Sequence, residues 1–296
     1  MLVYLCGCVV KDMALTRRHP EWIKVRAPGG AGFAATKRVV QELALHTVCE
    51  EAHCPNVAEC WGHNTATFML LGDVCTRNCG YCAVAHGKPL AVDPHEPARV
   101  AEGVARLGLR HVVVTSVDRD DLPDGGAGHF AATARAIKER VPGCAVEVLT
   151  PDFKGNLGAL AQVVDSPIDI FNHNTETVPR LYGRARPGGK YTRALDLLGE
   201  AKRRRSGMLT KTGLMLGLGE QRDELLAVFR DLAAVGCDIL TLGQYLQPTR
   251  AHLPVERYVP PAEFDELRRL ALEFGFRHVE SGPLVRSSYH AWEHVA

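Results

Sequence analysis

From residue 66 onward the chain alternates short runs rich in β-branched and aromatic residues with longer stretches in which apolar residues return every three or four positions. The short runs predict strands over 67–71, 111–116, 145–150, 168–173, 209–216 and 239–245. The longer ones predict helices over 97–107, 129–140, 156–164, 191–205, 222–235 and 261–274. Strand followed by helix, repeated, is the pattern of a parallel sheet wrapped by helices. Six such units predict an α/β fold, a partial (β/α)6 TIM-like barrel, and in barrels the chemistry gathers at the C-terminal ends of the strands.

Those strand ends are polar. Thr115-Ser-Val-Asp-Arg-Asp-Asp121 follows the second strand, Asn172-His-Asn-Thr-Glu176 the fourth, Gly217-Leu-Gly-Glu220 the fifth and Gln244-Tyr-Leu-Gln-Pro-Thr-Arg250 the sixth. Any loop leaving a buried strand needs polar groups for its backbone, and such loops also carry function, so all four are candidate site walls. The glycine loop Asp124-Gly-Gly-Ala-Gly128 lacks the Lys-Ser/Thr of a P-loop and is expected to be a flexible turn.

The chain has 296 residues, 46% hydrophobic and 23% charged, with a net charge of +1. That length suffices for one large domain of barrel size or two smaller ones. A near-neutral balance supplies no field for nucleic acid or an anionic membrane, so neither is expected as a partner. Residues 1–10 are apolar but lack a basic n-region and are too short to span a bilayer. No Arg- and Ser-rich leader precedes the first motif, and a reducing cytoplasm is the expected location.

Cysteine arrangement changes the picture most. Six of the ten cysteines form two triplets, Cys49/Cys54/Cys60 with C-x4-C-x5-C spacing and Cys75/Cys79/Cys82 with C-x3-C-x2-C spacing. The second follows the first predicted strand directly. Structural zinc takes four protein ligands and an ordinary [4Fe-4S] cluster four cysteines, so three thiolates leave one iron open for a small molecule. For the first triplet, a zinc site completed by His46, His53 or His63 stands beside a second cluster. Cys144 and Cys237 read as buried thiols at strand starts, and Cys6 and Cys8 have no partner motif.

The spacing Cys75-Thr-Arg-Asn-Cys79-Gly-Tyr-Cys82 resembles the signature of radical S-adenosylmethionine (SAM) enzymes. That resemblance implies that the open iron binds SAM and that a cluster electron breaks its sulfonium bond to give a 5'-deoxyadenosyl radical. A closer resemblance runs from about residue 48 to 291. Its segments are the first triplet, the second triplet, residues 115–123, Phe171-Asn-His-Asn-Thr-Glu176, residues 211–220, Tyr245-Leu-Gln-Pro-Thr-Arg250 with His252-Leu-Pro254, and Arg286-Ser-Ser-Tyr-His290. On these the chain resembles the lipoyl synthase family. Asn78 and Gly80 at spacer positions, and Thr212 where serine is frequent, are small departures. The stretch before residue 39 carries no diagnostic segment.

The resemblance implies two [4Fe-4S] clusters. Cys75, Cys79 and Cys82 would hold the radical-generating one, and Cys49, Cys54, Cys60 and Ser288 an auxiliary one. By itself Ser288 is an ordinary loop hydroxyl. Tyr81, Thr115, Ser116, Asn172, Asn174 and Gln247 are the expected SAM contacts. The implied division is an N-terminal extension (1–64) carrying the auxiliary motif, a radical SAM barrel (65–275), and a C-terminal segment (276–296) that closes over the auxiliary cluster. The implied reaction inserts two sulfur atoms at C6 and C8 of an octanoyl chain amide-linked to a lysine. Those carbons carry no acidic protons, so a radical must activate them.

The implied partners are octanoylated lipoyl-domain proteins, either a 2-oxoacid dehydrogenase E2 or a glycine cleavage H protein. A flavodoxin or ferredoxin reductant and an iron-sulfur carrier protein complete the set. Lys202-Arg-Arg-Arg205 could dock an acidic lipoyl domain, but a basic last turn also complements the helix dipole, and that reading is preferred. Two rivals are a radical SAM enzyme whose auxiliary cluster only relays electrons, and a non-catalytic zinc or electron-carrier protein.

Overall fold

The computed structural model describes residues 19–289 apart from positions 26 and 64. Ahead of the barrel come α1 (Ala31–Glu42), β1 (His46–Thr47), α2 (Val48–Glu51) and α3 (Val57–Gly62). Next come β2 (Thr67–Leu70), the short strands β3 (Val74–Cys75) and β4 (Ala85–His86), α4 (Glu96–Leu107), β5 (His111–Ser116), α5 (Ala127–Arg140) and β6 (Ala145–Leu149). Then follow α6 (Leu157–Val164), β7 (Ile170–Asn172), α7 (Tyr182–Ala185), α8 (Tyr191–Arg204), β8 (Leu209–Leu216), α9 (Arg222–Ala234), β9 (Ile239–Gln244), α10 (Pro261–Glu273) and β10 (His278–Gly282).

All six expected strand–helix units form, and β10 adds a seventh parallel strand past residue 275. Among the described residues the main sheet runs β1-β2-β5-β6-β7-β8-β9-β10 without closing, as a partial barrel. From β2 to β10 each strand is parallel to the next, while β1 is antiparallel to β2. Strands covered on both faces read as continuous apolar runs. β5, with only Ser116 not fully buried, is such a strand. β10 escapes the apolar-run criterion because only Val279 of its five residues is buried.

The helices bury one stripe against the sheet. In α4 that stripe is Val100, Ala101, Val104 and Leu107, and the helix ends on left-handed Gly108. The barrel interior also holds polar groups. Lys211 Nζ lies 2.9 Å from Glu147 Oε1 with both side chains fully buried, and Asn172 Nδ2 donates to the same oxygen (2.8 Å). A buried charge persists only when paired in this way.

Candidate active site

β2 delivers the chain to the cysteine loop through a sharp turn. Leu71 (φ 68°) and Gly72 (φ 90°) both adopt left-handed backbone, a conformation costly for leucine and therefore held from outside. Glu96 Oε2 accepts the Leu71 N–H (2.9 Å) and lies 2.6 Å from His129 Nε2. Buried Arg119 donates to Leu71 O (3.2 Å) and Leu90 O (3.1 Å), so one guanidinium pins the loop before Cys75 and after Cys82.

Inside the loop, Cys75 Sγ accepts N–H bonds from Arg77 (3.4 Å) and Asp118 (3.3 Å). Arg77 fastens the loop to the ends of β5 and β6, with bidentate bonds to Asp120 (both 2.8 Å) and a further bond to Asp152 (2.7 Å). Gly80 is wedged between neighbours: its N–H donates to Ala185 O (2.9 Å) and its carbonyl accepts from Leu253 N (2.9 Å). A Cβ there would lie 2.9 Å from Leu253 Cγ, which accounts for glycine at this spacer. His252 Nε2 donates to Cys82 O (2.9 Å), tying the loop after β9 to the last cysteine.

Cys75, Cys79 and Cys82 face one cavity of about 220 Å³. Tyr81, Thr115, Ser116 and Asn174, four of the six expected SAM contacts, line it, together with Arg77, Asp118, Thr150, Glu176 and Arg186. Asn172 and Gln247 lie elsewhere: the Asn172 side chain is bonded to Glu147 in the barrel interior, and Gln247 Nε2 donates to His252 O (2.8 Å). Val48 and Ala52, on either side of Cys49 in the chain, line the same cavity, so the helix that carries Cys49 forms part of its wall.

The first triplet is drawn together by α2, the turn after it and α3. Burial pushes the Cys49 thiol up to about 12, and the Cys54 charge adds to the rise. Burial, then Cys49 and Cys54, likewise push Cys60 to about 12. The three sulfurs are thus near enough to act on one another. Ser288, remote in sequence, is held at the strand beside β1: Thr67 Oγ1 donates to Ser288 Oγ (2.8 Å), and β1, paired with the strand of Thr67, leads into the helix of Cys49. Asn56 Nδ2 donates to Leu284 O (2.7 Å) and Tyr289 OH to Glu59 Oε1 (3.1 Å), so the C-terminal segment is clipped onto the first triplet's own loops. On its other side Ser287 Oγ donates to Asn174 Oδ1 (3.0 Å). A Cβ at Gly243 would run into the Val285 carbonyl oxygen, so that glycine lets the segment cross the sheet end.

A family model described as "Radical SAM superfamily" matches residues 69–232. Another, "N-terminal domain of lipoyl synthase of Radical_SAM family", matches residues 6–54, so the stretch before residue 39 does carry family character. Lipoyl synthase of Rubrobacter xylanophilus is 60% identical over 93% of this chain and 87% of its own. That of Chloroflexus aggregans is 55% identical over 98% and 95%. The chain belongs to the lipoyl synthase family. Its fold is also that of Streptococcus suis SuiB bound to precursor peptide SuiA, with TM-score 0.55 at 13% identity over 77% of this chain and 52% of that one. It likewise matches methylornithine synthase PylB, with TM-score 0.50 at 14% identity over 83% and 81%.

Lipoyl synthases are radical SAM sulfurtransferases with [4Fe-4S] clusters, and the donor set here fits two. Each triplet offers buried thiols whose raised pKa keeps them protonated until metal displaces the proton. Among the described residues no three His, Cys, Asp or Glu side chains converge on one ion-sized point. Three thiols per triplet are the donor set of a four-iron cluster with one iron left open, and membership of the lipoyl synthase family favours clusters over a single zinc ion held with His46, His53 or His63.

Around the lipoyl synthase cavity the charges are interlocked. Burial raises the Glu176 carboxyl, against Arg186 and hydrogen bonds from Tyr81 and Asn174. Burial raises Asp118 too, against Arg77. Arg186 is held by donation to Asn174 O (2.8 Å). Arg77, Arg119, Glu176 and Arg186 were not singled out from the sequence. The first lies between two cluster cysteines, Arg119 and Glu176 lie in polar strand-end loops, and Arg186 carries no local signal.

The basic run is engaged internally. Lys202 pairs with Asp238 (2.7 Å), Arg203 with Glu200 (2.5 Å) and Arg204 with Asp165 (2.5 Å), while Arg205 donates to Val164 O and Ser166 O (both 3.0 Å). The run fastens the bottom of the barrel, away from the cavity. Cys144 and Cys237 are buried just ahead of β6 and β9; Cys6, Cys8 and His290 lie outside the described residues. No helix among the described residues is long and apolar enough to cross a membrane.

Proposed function

We propose that this chain inserts two sulfur atoms, at C6 and C8, into an octanoyl group amide-linked to a lysine of a lipoyl-domain protein, with two SAM molecules consumed per product. The observation that carries the reading is that Cys75, Cys79 and Cys82 face a cavity also walled by Val48 and Ala52 of the segment that carries Cys49, while Ser288 is held by Thr67 at the start of the first barrel strand. Cys75, Cys79 and Cys82 would hold the cluster that supplies an electron for SAM cleavage, and Cys49, Cys54, Cys60 and Ser288 would hold the one that supplies sulfur.

This chain's residues do the positioning. Arg77 and Arg119 fix the loop of the first-acting triplet against the strand ends, so its three thiolates point at the cavity. Tyr81, Thr115, Ser116 and Asn174 offer hydrogen bonds to SAM there, and Arg186 and Glu176 supply a matched pair of charges for its zwitterionic amino-acid part. The segment around α2 walls the same cavity through Val48 and Ala52, so a group held by Cys49 would sit near a substrate bound there, and that proximity would favour sulfur transfer. Serine oxygen is a harder ligand than thiolate and poorly matched to iron–sulfur binding, so Ser288 would be the most easily released ligand of a cluster held there.

The extension over 1–64 and the segment after the barrel act together as the auxiliary module. The acceptor is an E2 or H-protein lipoyl domain, the electrons come from flavodoxin or ferredoxin, and an iron-sulfur carrier rebuilds the site. Free thiols at all eight described cysteines support a reducing cytoplasm. The test is Cys49→Ala: it should still form 5'-deoxyadenosine from SAM but make no sulfur-bearing product. If it still yields dihydrolipoyl product, the division of labour between the triplets is wrong.

A further inference from the structure

Thr67 opens the first barrel strand and is buried, with 7% exposure. It stands between the two halves of the auxiliary site. Its hydroxyl donates to Ser288 Oγ at 2.8 Å across 221 residues of sequence. Its strand pairs antiparallel with β1, which leads directly into the helix that carries Cys49. At its other end the same strand leads through Leu71 to the loop of Cys75.

We propose that Thr67 is the positioning residue of the auxiliary site, fixing the Ser288 oxygen against Cys49, Cys54 and Cys60 and remaining its hydrogen-bond partner when that oxygen ligates iron. This rests on the reading of Ser288 as a ligand. A terminal-loop serine has free rotation about χ1 and must be held to act as the fourth donor. Strand residues hold such a partner more firmly than loop residues do. Outer-shell hydrogen bonds of this kind orient a ligand and tune its bond to metal. The rest of the C-terminal segment is held separately by Asn56 and Tyr289, so loss of the Thr67 hydroxyl frees the serine oxygen without releasing the segment.

The test uses full-length chain carrying Cys75→Ala, Cys79→Ala and Cys82→Ala, reconstituted anaerobically so that only the auxiliary site is filled. The release of the first iron to a chelator is timed, and Mössbauer spectra are recorded for the iron with a non-sulfur ligand. Thr67→Val, which keeps the shape but not the hydroxyl, should speed that release by about 10- to 100-fold, the usual effect of losing an outer-shell partner. Thr67→Ser should restore the slow rate, and Arg203→Ala, on α8 at the far end of the barrel, should leave it unchanged. Circular dichroism identifies any variant that has merely unfolded; Thr67→Ser then decides. If Ser288→Ala releases iron fast while Thr67→Val matches the parent, the role of Thr67 is overturned. If Ser288→Ala itself matches the parent in rate and spectrum, the ligand reading fails and the proposal falls with it.

Discussion

Arg119 offers the sharpest check on how the cysteine loop is held. Its side chain is 3% exposed and makes four hydrogen bonds, two to Asp121 (2.9 and 2.8 Å) and one each to Leu71 O and Leu90 O. These are not equal. Asp121 is 41% exposed, so its carboxylate returns to water when the partner is lost, and an exposed pair contributes less than about 1 kcal/mol. Leu90 is exposed and its carbonyl can be hydrated. Leu71 is 4% exposed, and its orphaned carbonyl costs about 1–3 kcal/mol. Arg119→Met keeps the apolar stem and should therefore cost about 2–4 kcal/mol in all. Asp121→Asn should cost under about 1 kcal/mol. Urea unfolding of the metal-free proteins at pH 7 measures both, and iron bound by the second triplet after reconstitution should fall only in Arg119→Met. Equal destabilisation by the two variants would mean that the ion pair, not the carbonyl anchors, holds the loop.

Other expectations follow from the same geometry. Gly126 has φ 89° and its missing side chain makes room for Leu71 Cδ1, so Gly126→Ala should displace the turn before Cys75 and cost about 1–3 kcal/mol; unchanged stability and iron content would contradict this. His173 is buried with Nδ1 2.8 Å from Thr150 O, and burial, then Arg186, pushes its pKa down to about 3. A depressed folded-state value means that this imidazole is neutral in the fold but takes a proton in the unfolded chain below about 6.5, so its contribution is complete above that pH and falls as pH drops toward 3. Between pH 7 and 5 that amounts to about 2 kcal/mol, and His173→Asn should lose that much less over the same interval; parallel stability curves would refute it.

The six strand–helix units were legible because their strands are apolar runs set between amphipathic helices. β10 was not, since one buried valine in five residues makes no such run. The second triplet's cavity-facing place was legible from spacing, because three cysteines in one short loop after a strand converge at the strand end; for the first triplet spacing alone left zinc and a cluster open. Ser288 was singled out only through family resemblance: nothing local distinguishes it, and its hydrogen-bond partner, Thr67, lies 221 residues away. Among the strand-end residues, Thr115, Ser116 and Asn174 face the cavity. Asn172, the last residue of β7, sits one alternation inside and turns to the Glu147 and Lys211 pair. Arg186 and Arg119 matter through tertiary contacts to backbone carbonyls of distant segments, which leave no local mark.

The most direct test of the whole account combines composition and product. Anaerobically reconstituted protein should carry about eight irons, two four-iron clusters. Mixed with SAM, reductant and an octanoyl-lysine peptide, it should yield by mass spectrometry a peptide that has gained two sulfur atoms while the auxiliary site loses sulfide. SAM cleavage with no sulfur gain, and with auxiliary sulfide intact, would contradict it and leave the first triplet as an electron relay.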